Sequence, residues 1–256
     1  MVILEKFSLK NKVAVVTGAR TGIGRGIAIA LADAGAHIAG VGNNDMPETA
    51  REVNELGRRF YFHKADLMKT DKKDAAKIIQ QIEIEFGHID ILVNNAGIIR
   101  RENVLDFGEK DWFDVLNVNQ NALFFLSQAF ARRCSENGQK GKIINIASML
   151  TFQGGIRVAS YTASKSAVAG ITRIMANELA LHNIQVNAIA PGYIATNNTE
   201  ALQKDEVRNA EILARIPAGR WGVPEDMAGA AVFLASEASD YLTGQIIAVD
   251  GGWLSR

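Results

Sequence analysis

Three observations predict an α/β fold, a single doubly wound parallel sheet of about seven strands with helices on both faces. Short apolar, β-branched runs recur along the 256 residues, over 12–17, 37–41, 60–64, 89–94, 142–147, 184–190 and 245–249. Several are apolar at nearly every position, as in Val13-Ala14-Val15-Val16 and Ile143-Ile144, which suits strands buried on both faces of a parallel sheet. Helix-patterned stretches lie between them, beginning near Ile23, Pro47, Asp71, Glu109, Tyr161, Lys204 and Pro224. This alternation implies βαβ units with right-handed crossovers. No linker, charge block or internal repeat divides the chain, so one domain over 1–256 is expected.

Composition narrows the partners. Lys plus Arg total 28 and Asp plus Glu total 28, so the net charge is zero. That balance lacks the basic excess of a nucleic-acid-binding domain or of a polybasic membrane anchor. No run approaches the ~20 apolar residues that cross a bilayer, and the charged start around Glu5, Lys6, Lys10 and Lys12 is not that of a secretory signal. Cys134 is the one cysteine, so no intramolecular disulfide is possible; a reducing compartment is favoured and Cys134 reads as structural. The four histidines show no HxxxH spacing, so no metal site is expected.

The first strand runs into Thr17-Gly18-Ala19-Arg20-Thr21-Gly22-Ile23-Gly24, and a helix pattern follows at once. Glycines let the backbone turn sharply and approach a phosphate, and the helix N-terminus offers free N–H groups to a pyrophosphate. The turn's place between the first strand and the first helix reads as a Rossmann-type dinucleotide cradle, with Gly-x-x-x-Gly-x-Gly where common dinucleotide folds have GxGxxG and ordinary turn glycines as the alternative. Gly18, Thr21, Gly22, Ile23 and Gly24 are its candidate contacts, with Arg20 the one basic residue suited to reach a phosphate. The second strand ends in Val41-Gly42-Asn43-Asn44-Asp45. An acid at this point takes a ribose diol and an arginine takes a 2′-phosphate. Neither slot is clearly filled. Asn43 is suited to ribose hydroxyls, and Asp45 is either a further ribose contact or an N-cap ahead of Pro47. No arginine follows the strand, which favours NAD and leaves NADP as the alternative.

The strand over 142–147 ends at Ser148, and Tyr161-Thr162-Ala163-Ser164-Lys165 opens the next helix. A spacing of four places Tyr161 and Lys165 on one helical face. A fixed ammonium beside a phenol favours phenolate, and such a tyrosine exchanges protons with an alcohol or ketone. Ser148, at a strand's carboxyl end where ligands bind, is placed to hold the reacting oxygen. Beyond the strand over 184–190, the stretch 191–222 is longer than an ordinary αβ loop, and its middle, 199–215, reads as helical. A substrate lid is expected over 193–217.

In order and spacing these elements resemble the short-chain dehydrogenase/reductase family along almost the whole chain. Further matches are Asp66-Leu67, Asn94-Asn95-Ala96-Gly97, Asn119, and Pro191-Gly192 followed by Thr196. The resemblance implies that Tyr161 is the general acid/base, that Lys165 tunes it and binds the nicotinamide ribose, and that Ser148 positions the substrate oxygen. It implies a proton-relay water at Asn119, adenine contacts at Asp66 and Leu67, and a cofactor floor at Asn94, Ala96 and Gly97. Pro191, Gly192, Ile194 and Thr196 would complete the cofactor contacts.

Blocks around the pocket also resemble that family's deoxygluconate dehydrogenases. These are 87–97, 146–150, 152–157, 190–199 and 216–222, with the ending 249–253 similar too. The implied substrate is a small anionic deoxy sugar acid and the implied cofactor generally NAD, in a cytoplasmic homotetramer. Arg101 and Arg157 are candidates to grip its carboxylate, and Gln153 and Asn198 to meet hydroxyls. Gluconate 5-dehydrogenase and 3-oxoacyl reductase activities are the enzyme alternatives. A non-catalytic dinucleotide-binding regulator is the alternative of another class.

Overall fold

A computed structural model describes residues 2–256. Seven parallel strands form one sheet: β1 (Val13–Thr17), β2 (His37–Gly42), β3 (Phe60–Lys64), β4 (Ile91–Asn94), β5 (Gly141–Ile146), β6 (Ile184–Pro191) and β7 (Ile246–Val249). Their order is β3-β2-β1-β4-β5-β6-β7. Every expected run is a strand, with ends shifted by two residues at most.

The helices are α1 (Gly22–Asp33), α2 (Pro47–Glu55), α3 (Lys72–Phe86), α4 (Glu109–Leu116), α5 (Leu123–Asn137), α6 (Ala159–Leu179), α7 (Glu200–Lys204), α8 (Glu206–Arg215) and α9 (Ala228–Ala235). Alternation along each strand sends neighbouring residues to opposite layers. Ala14 and Val16 pack with Ile27 and Leu31 of α1, Val53 of α2 and Leu234 of α9. Val15 and Leu92 pack with Ile78, Ile79 and Ile82 of α3, Phe130 of α5 and Met175 of α6. Cys134 belongs to this second layer, where burial pushes its thiol up to about 12, so it is inert near neutral pH.

Three helix expectations change. The helix beginning near Glu109, for which the sequence marks no end and no successor, spans two turns as α4. It continues through a widened π turn, Asn117–Ala122, into α5, so one nearly continuous rod runs to Asn137. The polar run Asn117-Val118-Asn119-Gln120-Asn121 interrupts its apolar periodicity and hid α5 in the sequence. The helix expected over 199–215 is broken in two at Asp205, which leaves the helical region and caps α8 by accepting from Arg208 N at 3.0 Å. Asp45 does not cap α2; Met46 holds that position, without a side-chain cap.

The strand order places the site. β1 and β4 are neighbours, and the chain leaves β1 toward β2 but leaves β4 toward β5, in opposite directions. That is the topological switch point where open α/β sheets bind ligands.

Candidate active site

A cleft of about 450 Å³ opens above the carboxyl ends of the strands. The glycine-rich turn forms one wall. Gly18 has φ +68°, a conformation that side chains disfavour. A Cβ on Gly24 would come within 2.4 Å of the Gly18 carbonyl oxygen, so the turn closes only with glycine there. The N-cap of α1, Thr21, makes no side-chain cap bond, so the first-turn N–H groups of α1 lack that partner. Gly22, Ile23 and Gly24 of that turn border the cleft. A pyrophosphate fits this uncapped end by charge and by donor set.

The turn is stitched to the end of β4. The Thr17 hydroxyl accepts from Asn95 N at 3.0 Å and Ala96 N at 2.9 Å, and the Asn95 amide donates to the Thr17 carbonyl at 2.9 Å. Asn95, Ala96 and Gly97 form the floor. Asn94, expected there, points the other way. Its amide nitrogen donates to Ser127 Oγ (2.8 Å) and Asn145 Oδ1 (2.9 Å) inside the protein. The period-two reversal of side chains exchanges the two asparagines.

Asn43 lines the cleft at the end of β2, with Asp66 and Leu67 beside it, while Arg20 lies on the exposed side of the glycine turn, outside the lining. Pro191, Gly192, Ile194 and Thr196 form the opposite wall. The chain from 193 to 222 is pinched at its neck. Ala195 N donates to the Gly222 carbonyl (2.8 Å) and Gly222 N to the Tyr193 carbonyl (2.9 Å).

Ser148, Tyr161 and Lys165 meet at the far end. Ser148 Oγ accepts from Leu150 N (3.2 Å), and its hydroxyl favours the Tyr161 phenolate. The Lys165 ammonium donates to the Ile146 carbonyl, 2.5 Å away, and sits 5.6 Å from the Tyr161 ring centre. One bond from outside α6 holds it here, and one within it fixes the Ser164 hydroxyl. Thr151 Oγ1 donates to the Lys165 carbonyl (2.9 Å), and Ser164 Oγ donates to the Tyr161 carbonyl (2.8 Å). Asn119, in the π turn, donates to Ser164 Oγ (3.2 Å) and to the Ile98 carbonyl (3.0 Å), and accepts from Ile98 N (2.9 Å). Its side chain is outside the cleft lining and ties α6 to the floor.

The electrostatics differ from the sequence expectation in one respect. Lys165 is expected to lower the Tyr161 pKa. In the structure burial raises it, opposed by the Ser148 hydroxyl and the positive charge of Arg101. Lys165 is itself desolvated, which pulls its ammonium down to about 8.

The expected substrate groups separate. Arg157, in the left-handed region at φ +62°, turns toward Glu102 (3.8 Å), and Arg100 pairs with Asp111 (3.3 Å). Arg101 donates to the Asn198 carbonyl (3.3 Å), and among the described residues no carboxylate lies within ion-pair distance of it. Asn198 lines the cleft; Arg101, Arg157 and Gln153 lie outside the lining, and the Gln153 amide oxygen faces Trp253 Nε1 (3.4 Å) and Arg215 (3.5 Å).

A parallel sheet with a glycine-rich first turn and a Ser-Tyr-Lys cluster at its carboxyl edge defines a dinucleotide-dependent oxidoreductase. The chain belongs to the short-chain dehydrogenase/reductase family, NAD(P)-dependent enzymes acting on CH–OH groups; residues 18–254 match the family profile described as enoyl-(acyl carrier protein) reductase. It is 62% identical to the 2-dehydro-3-deoxy-D-gluconate 5-dehydrogenase of Escherichia coli K12 over 254 residues, covering 99% of this chain and 100% of that one. A crystal structure of a candidate 2-deoxy-D-gluconate 3-dehydrogenase from Agrobacterium tumefaciens, with bound NADP, is 52% identical with a TM-score of 0.92, covering 98% and 99% of the two chains. The gluconate 5-dehydrogenase of Burkholderia cenocepacia J2315, in complex with NADP and tartrate, is 38% identical with a TM-score of 0.93, covering 99% of both chains.

Proposed function

We propose that this protein is a dehydrogenase of a deoxy sugar acid, exchanging hydride between NAD(H) and a keto or hydroxy carbon of a 2-dehydro-3-deoxy-D-gluconate-like substrate. The observation that carries the substrate class is Arg101, at the rim beside the lining residue Asn198, a guanidinium with no acidic partner among the described residues whose charge favours the Tyr161 phenolate. The nicotinamide ring supplies the hydride acceptor or donor. In the oxidising direction, Ser148 orients the substrate hydroxyl, and Tyr161 takes its proton as the hydride leaves the carbinol carbon. Lys165 holds positive charge beside the forming phenolate and binds the ribose. Asn119 fixes the floor and α6, and in this reading a water there relays the proton to solvent. The stretch 193–217 closes over the sugar acid. A non-catalytic binder would have no need of Ser148, Tyr161 and Lys165 at one point of the cleft. Turnover of the sugar acid, compared with gluconate and an acyl thioester under both cofactors, tests the reading.

The pH dependence follows from the pair. Lys165 is pulled down to about 8 and Tyr161 is pushed up, so the first proton leaves the pair near pH 8. Reduction needs both protons in place; oxidation needs the pair with one proton lost. We expect kcat/KM for reduction to fall as pH rises through about 8, and kcat/KM for oxidation to rise through the same region. Lys165→Met should remove that limb in both directions. Parallel profiles for the two directions would contradict the assignment.

For the cofactor, Asn43 offers neutral bonds to the ribose diol, and nothing in the lining at that end of the cleft is basic. NAD is therefore the preferred cofactor, with NADP tolerated. Asn43→Asp should cut kcat/KM for NADP by about 100-fold through like-charge repulsion of the 2′-phosphate, while NAD changes little. Initial rates at varied cofactor check it; equal losses for both cofactors would place Asn43 elsewhere.

The reading includes a cytoplasmic homotetramer. Exposed Leu105, Phe113 and Ile174 on and beside α4 and α6, and the half-exposed edge strand β7, are the surfaces we assign to it. No helix among the described residues is long and apolar enough to cross a membrane. A light-scattering mass of a single chain would contradict the tetramer.

A further inference from the structure

Beyond the cleft, three separate stretches of chain converge on one side chain, Trp253, three residues from the C-terminus. Its indole is buried at 5% exposure in a cluster with Met149, Ile212 and Ile216. The Arg215 guanidinium, at the end of α8, lies over the ring at 4.0 Å from its centre. The Tyr193 ring meets it edge-on at 4.8 Å between centres. Its Nε1–H points at the Gln153 amide oxygen (3.4 Å), which also faces Arg215 (3.5 Å). The tail around it is itself held in place. The Asp250 carboxylate accepts from Gly252 N and Leu254 N, both at 2.9 Å. Arg256 donates to the carbonyls of Ala214 (2.8 Å) and Arg215 (3.2 Å), which are free at the end of α8.

These contacts join the segment between Ser148 and Tyr161 to the neck and the second helix of the 193–222 excursion, with the C-terminal tail as the bridge. By contrast α7, the first helix of that excursion, buries no residue. We propose that Trp253, Gln153 and Arg215 are positioning residues that latch α8 onto the catalytic segment and so set the affinity for the substrate without touching it. Gln153 acts here as the acceptor that orients Trp253 and Arg215, not as a ligand to a sugar hydroxyl. The inference rests on the reading of 193–217 as the lid over the substrate.

Gln153→Leu removes the acceptor and leaves a buried indole N–H unpaired. We expect KM for the sugar acid to rise about ten-fold, with kcat and the dissociation constant for NADH within about two-fold. Amide hydrogen exchange of residues 206–215 should become faster in the same variant. Gln153→Glu keeps the acceptor for both partners and should restore KM and slow exchange. Trp253→Phe keeps the ring and loses the N–H, and should behave as Gln153→Leu does. If Gln153 instead contacted the anionic substrate, Gln153→Glu would raise KM above that of Gln153→Leu, and that result overturns the proposal. Unchanged exchange in Gln153→Leu overturns the latch itself. Faster exchange with an unchanged KM overturns the link to substrate affinity through the lid reading on which it depends.

Discussion

Replacing Tyr161 by phenylalanine is expected to lower kcat by about 10³-fold while the Kd for NADH stays within about two-fold. The phenol is the one group in the cluster that can take the substrate proton. Ser148 Oγ is already accepting from Leu150 N, and the Lys165 ammonium donates to the Ile146 carbonyl. Removing a single hydroxyl leaves the ring, the Ser164 bond to the Tyr161 carbonyl and the Thr151 bond to the Lys165 carbonyl in place. The loss should therefore appear in the chemical step and not in folding or cofactor binding. Stopped-flow hydride transfer, with NADH fluorescence titration alongside, separates the two. Turnover within ten-fold of the parent would remove Tyr161 from its role.

Arg101→Met is expected to raise KM for the sugar acid by about 10- to 100-fold, the range of a hydrogen bond to a charged group. The corresponding neutral amide should be turned over almost as well as by the parent enzyme. Methionine keeps much of the apolar stem and removes the charge. Arg157→Ala serves as the contrast. That side chain is half exposed and turned toward Glu102, and exposed pairs contribute little, so KM should change by less than about three-fold. The two arginines looked equivalent in the sequence, since both flank the pocket segments. The structure separates them because Glu102 and Asp111 engage Arg157 and Arg100 and leave Arg101 beside Asn198.

Most of the sheet was legible because buried parallel strands write themselves as continuous apolar runs, and glycine-rich turns mark where the backbone must bend. The cluster of Ser148, Tyr161 and Lys165 was legible because local spacing on α6 and a strand end fix it. What stayed hidden depended on direction or on distant partners. Asn94 and Asn95 are adjacent and chemically identical, and only the pleat decides that Asn95 faces the glycine turn. The widened turn at Asn117–Ala122 breaks helical periodicity, so α5 was not recognised behind α4. Gln153 read as a pocket residue because it lies between Ser148 and Tyr161; its partners Arg215 and Trp253 come from 62 and 100 residues away.

The most direct test of the central assignment is a substrate comparison at fixed pH with NADH and NADPH. We predict that kcat/KM for the 2-dehydro-3-deoxy-D-gluconate couple exceeds that for gluconate and for an acyl thioester, with NAD(H) preferred, and that the advantage over the neutral amide collapses in Arg101→Met. A protein that turns over the acyl thioester best, with no dependence on Arg101, would contradict the account.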